Sequence, residues 1–330
     1  MESGAPADEA RADRPRRPDV PPDWAAAAQQ VVAGGVRRVL VLGPGDAGKS
    51  TFCRVLLRRA ARGKRSVAVL DADPAQKLVG PPACVTLGRG EALALSALAF
   101  TGALDPLRGW RRSVAGVGRL AAEAADADLL VVNTSGLLAG AGRRLKAAKI
   151  AEVRPDLLVA LGDGPQLEAV LNDHGAIPTV RLARSPLARR KGEGERRALR
   201  REAFRGYFAT APVWALDFRG LRLEGEPGSE ALPGPRRLVA LADARGRDLA
   251  LGIALGGGPP DGVSLRAPRP EAPVAGLRWG ALRLDEDRVE RPGAPDRRNA
   301  EPPRGQPSSS IATASEASSA GTKWPPGNSR

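Results

Sequence analysis

Eight consecutive residues, 43–50, have the spacing of a phosphate-binding loop. They read Gly-Pro-Gly-Asp-Ala-Gly-Lys-Ser, and glycines at these positions let backbone N–H groups close round a phosphate. At this spacing Lys49 can reach the β- and γ-phosphates of a nucleotide, and Ser50 can ligate Mg²⁺. We expect ATP with Mg²⁺. No Asn-Lys-x-Asp sequence for guanine recognition follows downstream, which weakens a GTPase interpretation but does not by itself establish ATP. The predicted nucleotide-binding residues are Gly43, Pro44, Gly45, Asp46, Ala47, Gly48, Lys49, Ser50 and Thr51.

Two carboxylates follow the second apolar run of the chain. Asp71 ends that run, and Asp73 lies two residues later. The carboxyl ends of parallel strands face the ligand crevice of an open sheet. Phosphoryl transfer needs a carboxylate near Mg²⁺ and a group that orients or deprotonates the nucleophile. We therefore predict Asp71 as a magnesium ligand and Asp73 as a catalytic base, with an ordinary strand-ending turn as the alternative.

A third apolar run ends in amide and hydroxyl side chains rather than in an acid. Residues 129–132 precede Asn133 and Thr134, at a position where many P-loop proteins carry a metal-associated Asp. An amide is a weaker group for that task, so the pattern points back to Asp71 and Asp73.

A basic segment over 186–208 is predicted to be one long helix that closes over the nucleotide. Its arginines could neutralise charge on the transferring phosphoryl group, and we select Arg189, Arg190 and Arg197 for this role. Two alternatives stay open. Glu193, Glu195 and Glu202 could pair with the arginines on a solvated helix face, or the arginines could contact a nucleic-acid backbone.

The elements that must position these residues follow an α/β rhythm. Continuous apolar strands alternating with amphipathic helices predict a parallel sheet covered by helices on both faces, followed by a small β-rich module. The predicted strands are 36–42, 66–71, 129–133, 157–161 and 178–182, then 238–241, 248–255 and 277–284 in the module. The predicted helices are 22–32, 49–62, 107–124, 143–153, 166–172 and 186–208.

Four segments in this order resemble the polynucleotide 5′-hydroxyl kinase family. That family includes the RNA 5′-kinase subunit of eukaryotic pre-mRNA cleavage and tRNA-splicing complexes. The segments are the phosphate loop 43–53, the acidic segment 71–82, the segment 132–136 and the Arg-rich helix that ends at Tyr207 and Phe208.

The resemblance implies roles for individual residues. Asp73 would accept the proton of a 5′-hydroxyl group on RNA or DNA, and Gln76 would help to hold the end of that strand. Asn133 and Thr134 would lie near the nucleotide and the acceptor. The expected activity is transfer of the γ-phosphoryl group of ATP to this hydroxyl group, and protein partners cannot be named.

Two positions depart from the family pattern. Ala75 replaces a usual Gly, which narrows the allowed backbone conformations, and Leu137 stands where eukaryotic members carry a Trp that stacks on a base. These departures keep two other functions open. One is an ATP-binding scaffold in RNA processing that transfers no phosphoryl group, and the other is a P-loop enzyme whose acceptor is water or a small molecule.

Composition bounds the remaining possibilities. The chain has 330 residues and a formal net charge of +14, which favours an anionic partner or reflects a general preference for Arg. One histidine and two cysteines exclude His-cluster metal chemistry and a disulfide framework. The longest apolar stretch, 92–100, is too short to span a bilayer, so a cytoplasmic protein without membrane contact is expected. We predict disordered ends at 1–20 and 291–330, a kinase domain over 21–210 and the β-rich module over 211–290.

Overall fold

The computed structural model describes residues 20–225, 232–255, 261–284 and 289–291. The two terminal segments that were expected to be disordered lie almost entirely outside these residues. The described residues belong to one compact unit, and the domain division near residue 210 stays a prediction. Within the described ranges, every helix is too short or too polar to cross a membrane.

The first part of the chain alternates strands and helices as the hydrophobic pattern predicts. Its elements are α1 Pro22–Ala33, β1 Arg38–Leu42, α2 Lys49–Arg62, β2 Val67–Asp71, β3 Cys84–Arg89, β4 Ala94–Phe100, α3 Trp110–Glu123, β5 Leu129–Asn133, α4 Ala141–Val153, β6 Leu157–Leu161, α5 Pro165–Asp173, β7 Thr179–Leu182 and α6 Glu193–Phe208.

These strands form one seven-stranded sheet in the order β4-β3-β2-β5-β1-β6-β7. The five strands from β2 to β7 are parallel, as predicted. Strands β3 and β4 were not predicted. They extend the sheet beyond β2, where β3 pairs antiparallel with β2 and β4 pairs antiparallel with β3. The exposed half of β4 alternates in burial, because it lies at the edge of the sheet and one of its faces is solvated.

The parallel strands are apolar on both faces because helices cover both sides of the sheet. In β1, Leu40 and Leu42 pack into the core beneath α3, α4 and α5. Val39 and Val41 face the opposite side and pack against α1 and α2. All of these strands end at one edge, and that edge carries the phosphate loop and both predicted acids.

The basic helix is shorter than the sequence predicted. Helix α6 begins at Glu193 rather than near 186. Pro186 and Gly192 oppose a regular helix over 186–192, and a turn closes the segment where the backbone N–H of Ala188 bonds the carbonyl of Ser185. Residues 184–192 are therefore a connection that leads into the helix.

A second sheet follows α6. Its strands are β8 Val213–Asp217, β9 Arg222–Glu224, β10 Arg237–Ala242, β11 Asp248–Ala254, β12 Gly262–Arg266, β13 Gly276–Leu284 and β14 Val289–Arg291. They run in the order β14-β13-β10-β11-β12-β8, and β9 pairs with β13. The sequence predicted β10, β11 and β13. The other four strands are short or largely exposed, so they lack the continuous apolar run that marks a buried strand.

Helix α6 joins the second sheet to the first. Phe204 and Phe208 of α6 are buried against Leu238 and Leu251 of the second sheet and against Phe100 at the end of β4. The hydroxyl oxygen of Tyr207 also accepts the backbone N–H of Leu251 at 2.9 Å. The carboxyl-terminal half of α6 is thus packed between the two sheets.

Candidate nucleotide and acceptor site

The phosphate loop leads directly from β1 into α2, as the motif requires. Its backbone has positive φ at Gly43 (151°), Asp46 (58°) and Gly48 (98°). A Cβ atom on Gly43 would lie 2.4 Å from the carbonyl oxygen of Leu161, and one on Gly48 would lie 2.4 Å from the indole ring of Trp24. Only glycine fits at these two positions, so the loop is shaped by its neighbours as well as by its own sequence.

The side chain of Lys49 lies inside the loop. Its ammonium group donates to the carbonyl oxygens of Gly43 at 3.0 Å and Pro44 at 2.7 Å. Burial lowers the pKa of Lys49 to about 8, although the charge of Asp73 opposes this effect. The cation is therefore held at the phosphate loop and is electrostatically coupled to the predicted base.

Asp71 is fully buried, and both of its carboxylate oxygens have partners. Its Oδ2 accepts the backbone N–H of Leu78 at 2.5 Å and lies 3.4 Å from the ammonium nitrogen of Lys77. Its Oδ1 accepts from the Asn133 amide at 3.0 Å and from the backbone N–H of Asp73 at 3.3 Å. Asp71 thus organises the loop 72–79, and direct contact with Mg²⁺ would require it to give up one of these bonds.

Asp73 differs because one of its oxygens is free. Its Oδ1 accepts the backbone N–H groups of Ala75 at 2.9 Å and Gln76 at 3.1 Å. Its Oδ2 has no hydrogen bond or ion pair with any residue that the structure describes. The Gln76 side chain, which was predicted to hold the acceptor, bonds only the neighbouring carbonyl of Ala75, at 3.4 Å. The turn therefore presents one carboxylate oxygen that can accept a proton.

Asn133 links the acid segment to the phosphate loop. Its Nδ2 donates to Asp71 and lies 3.5 Å from the hydroxyl oxygen of Ser50. Its Oδ1 is buried without a hydrogen-bond partner. This buried oxygen belongs to the amide whose nitrogen lies beside the Ser50 hydroxyl. It is a fitting acceptor for a water of a hydrated cation, because Mg²⁺ keeps several of its waters in protein sites.

The segment after Asn133 forms a wall beside the phosphate loop. The hydroxyl group of Thr134 donates to the carbonyl of Val41 at 2.8 Å, so it fastens the segment to β1. A Cβ atom on Gly136 would lie 2.4 Å from the backbone nitrogen of Gly45. This close approach explains why the position must be glycine.

The three arginines selected for the lid make no direct polar contact with the phosphate loop among the described residues. Arg189 pairs with Glu195 at 2.7 Å and Arg197 with Glu193 at 3.1 Å, all with exposed or half-exposed side chains. Arg190 is exposed and has no ion pair with any described residue. The charge of Asp46 in the phosphate loop acts on Arg189, but none of the three arginines has a hydrogen bond or ion pair with the loop in the described part of the chain.

Two other cations of the basic segment do contact the loop. The carboxylate of Asp46 forms an ion pair with the guanidinium of Arg196, and it accepts from the backbone N–H of Lys191 at 3.1 Å and from its ammonium group at 3.4 Å. Burial raises the pKa of Asp46, but these contacts outweigh it and hold the pKa below the usual value. Helix periodicity could not identify these two residues. Lys191 lies in the connection before α6, and Arg196 is one of several arginines on that helix.

Two buried lysines on α4 were not identified from the sequence. Lys146 donates to the hydroxyl oxygen of Ser135 at 3.1 Å, and Lys149 donates to the carbonyl of Ala72 at 2.8 Å. Both side chains are fully buried. Burial lowers the pKa of Lys149 to about 8 and that of Lys146 well below its usual range. Their position on the helix face that also carries Leu145 and Ile150 is the sequence signal that could have identified them as buried.

A sequence model of the mRNA cleavage and polyadenylation factor CLP1 P-loop family matches residues 43–210. The chain belongs to this family. The matched range contains the phosphate loop, the acid segment, α4 and all of α6, so the CLP1 P-loop region includes every site residue described above.

Curated proteins are similar to this chain in sequence, and a solved structure is similar to it in fold. A polyribonucleotide 5′-hydroxyl-kinase of Pyrococcus furiosus is 29% identical over 63% of this chain and 61% of its own length. One from Pyrococcus abyssi is 32% identical over 59% of this chain and 57% of its own length. The chain thus spans about three fifths of these relatives. A Clp1p–Pcf11p complex shares the fold, with a TM-score of 0.63, 12% identity and coverage of 78% of this chain and 77% of that one.

Proposed function

We propose that this protein is an ATP-dependent polynucleotide 5′-hydroxyl kinase that phosphorylates RNA or DNA ends. The free Oδ2 of Asp73 carries the proposal, because it is an unengaged carboxylate oxygen on the loop that follows β2, beside a complete phosphate loop. The names of the relatives as polyribonucleotide 5′-hydroxyl-kinases support the choice of acceptor.

The chemistry follows from the positions of these groups. The acceptor hydroxyl donates its proton to Asp73 as its oxygen bonds the γ-phosphorus, and the bond from that phosphorus to the bridging oxygen breaks to release ADP. Lys49 lies within the loop and offers a cation to the β- and γ-phosphates. Gln76 and Thr134 lie on the two loops that flank the acceptor side.

The lid cations complete the electrostatics. Lys191 and Arg196 already contact the phosphate loop through Asp46, whereas Arg189 and Arg197 pair with glutamates of the basic segment. Positive groups that are fixed in place before the reaction stabilise charge that develops on the phosphoryl oxygens.

The site also fits Mg²⁺. Ser50 and the orphan Oδ1 of Asn133 would hold the ion or its waters, with Asp71 behind them. Bound Mg²⁺ would neutralise phosphate charge and orient the nucleotide. Among the described residues there is no group of three or more His, Cys, Asp or Glu side chains that could hold a metal without the nucleotide.

The direct test measures transfer of labelled γ-phosphate from ATP to short RNA and DNA oligonucleotides with 5′-hydroxyl ends. Wild-type protein should label them, and Lys49→Ala and Asp73→Asn should reduce labelling by about 10²-fold or more. Asp126→Asn is the matched control, because Asp126 is an exposed carboxylate that precedes β5, at the opposite edge of the sheet from the phosphate loop. Full activity in Lys49→Ala or Asp73→Asn would reject the assignment.

Two other outcomes would identify the alternatives. Tight ATP binding without labelling of any oligonucleotide would indicate an ATP-dependent scaffold, a function that Ala75 and Leu137 keep open. Strong ATP hydrolysis without an oligonucleotide would indicate water or a small molecule as the acceptor.

A further inference from the structure

Helix α4 places two lysines under the acceptor side of the site. Lys146 and Lys149 lie three residues apart and therefore share one face of the helix. Both are fully buried, although this face otherwise packs apolar side chains such as Leu145, Ile150 and Val153 into the core. Neither lysine belongs to the phosphate loop or to the basic segment.

Burial of these two ammonium groups does not by itself stabilise the folded chain. A buried ammonium group loses its hydration, and replacing buried charges by well-packed apolar groups is often neutral or stabilising. Neither lysine has a carboxylate among its hydrogen-bond partners in the described structure, since each bonds one oxygen of a loop. Buried ionisable groups without a stabilising role cluster at functional sites.

Lys149 fixes the peptide that precedes the proposed base. Its ammonium group donates to the carbonyl of Ala72 at 2.8 Å, and the N–H of the same residue bonds the carbonyl of Asn133 at 2.9 Å. Ala72 lies between Asp71 and Asp73, so its backbone is held from both sides. These two hydrogen bonds help to fix the backbone where it leaves β2, and with it the position of Asp73.

Lys146 fixes the opposite wall. Its ammonium group donates to the hydroxyl oxygen of Ser135 at 3.1 Å. Ser135 lies between Thr134, which is bonded to β1, and Gly136, which packs directly against Gly45 of the phosphate loop. One helix therefore braces both loops between which an acceptor strand would enter.

We propose that Lys149 and Lys146 are positioning residues for the acceptor, with Lys149 aiming Asp73 and Lys146 holding the wall at 134–136. This inference rests on the proposed kinase function and deepens it. A displacement of about 1 Å at a reacting group can reduce a rate about 10²-fold, so the Lys149 contact acts on the catalytic step. The Lys146 contact acts on acceptor binding.

The experiment compares Lys149→Met, Lys149→Gln and Lys146→Met with wild type. Arg144→Met is the matched control, because Arg144 is an exposed cation on the same helix. For each variant, kcat and the acceptor KM are measured with a 5′-hydroxyl oligonucleotide, together with the Kd of ATP and the thermal unfolding temperature.

Both Lys149 variants should lower kcat about 10- to 100-fold, with the Kd of ATP within about twofold of wild type. Lys146→Met should mainly raise the acceptor KM. In an Asp73→Asn background, Lys149→Met should cause no further loss, because the lysine acts through that carboxylate. A purely structural role would instead lower the unfolding temperature and weaken ATP binding as well.

The outcomes separate this inference from the function on which it rests. If wild type labels oligonucleotides and Asp73→Asn labels them about 10²-fold more slowly, normal kcat in a folded Lys149→Met or Lys149→Gln variant overturns the inference alone. Equal additional loss from Lys149→Met in the wild-type and Asp73→Asn backgrounds also overturns it. Absence of labelling by wild type overturns the kinase proposal and this inference together.

Discussion

The two acids at the carboxyl end of β2 differ in the hydrogen bonds that their carboxylate oxygens accept. The Asp71 carboxylate has five nitrogen partners and is sealed from solvent, whereas one oxygen of Asp73 has no hydrogen bond or ion pair with any described residue. Sequence position predicts both acids at the active edge but cannot separate these roles. Hydrogen bonds from Lys77, Leu78 and Asn133 make Asp71 a structural centre, and only the folded loop reveals that difference.

Lys149 should give a distinctive pH dependence of stability. The pKa of Lys149 is about 8 in the folded chain, against 10.5 for an ordinary lysine. Between these values the unfolded chain binds more protons, so the free energy of unfolding should rise with pH by up to about 1.4 kcal/mol per unit. This contribution is complete above pH 10.5 and is lost as pH falls to about 8.

Chemical denaturation at pH 8 and pH 10 measures this effect in wild type and in Lys149→Met. The methionine variant should lack this part of the slope, and Arg144→Met should keep it. Identical slopes in wild type and Lys149→Met would show that the lysine keeps an ordinary pKa in the folded chain.

At the scale of elements, the connection into α6 is attached to the phosphate loop by one carboxylate. Asp46→Asn should weaken its contacts with Lys191 and Arg196 and free residues 185–197. Without nucleotide, amide hydrogen exchange in this segment should accelerate about tenfold, because a half-buried charged pair contributes about 1–2 kcal/mol.

Glu193→Gln provides the control for this variant. It removes the exposed pair with Arg197, and exposed pairs contribute about 1 kcal/mol or less. Exchange in the segment should therefore stay close to wild type. Unchanged exchange in Asp46→Asn would mean that the segment is held by other contacts.

Most helices and strands could be predicted from the sequence, but the contacts of individual side chains could not. Strands β5 and β6 and helix α2 have their predicted bounds, because continuous apolar runs and one-sided helical spacing are strong signals. Strand β4 lies within the longest apolar stretch, 92–100, and a short apolar run alone does not distinguish a strand from a buried helix. Strand β3 mixes apolar and polar residues, so no periodicity marked it. Lys191, Arg196, Lys146 and Lys149 were missed because composition shows a cation but not the direction in which it points.

At the scale of the whole molecule, Asp248 connects the two sheets. Its carboxylate accepts the backbone N–H of Phe100 and a guanidinium N–H of Arg278, each at 2.8 Å, and lies 3.8 Å from Arg119. Asp248→Ala would leave two cations and a backbone donor without this partner. We expect it to reduce the free energy of unfolding by about 3–5 kcal/mol.

Glu224→Ala is the comparison, since Glu224 bonds the same Arg278 from a more exposed position. Its effect should be about 1 kcal/mol or less. Chemical denaturation followed by circular dichroism measures both variants. Equal losses in the two variants would show that the buried carboxylate is not the main connection.

The packing of α6 has a mechanical consequence. A helix of 16 residues is about 24 Å long, and this one is clamped near its carboxyl end by Phe204 and Phe208 while its other end meets the phosphate loop. The helix is a beam fixed at one end, so we expect any displacement of its amino end from the phosphate loop to pivot about Phe204 and Phe208. The second sheet carries none of the site residues named above, yet it supplies the anchor of this beam.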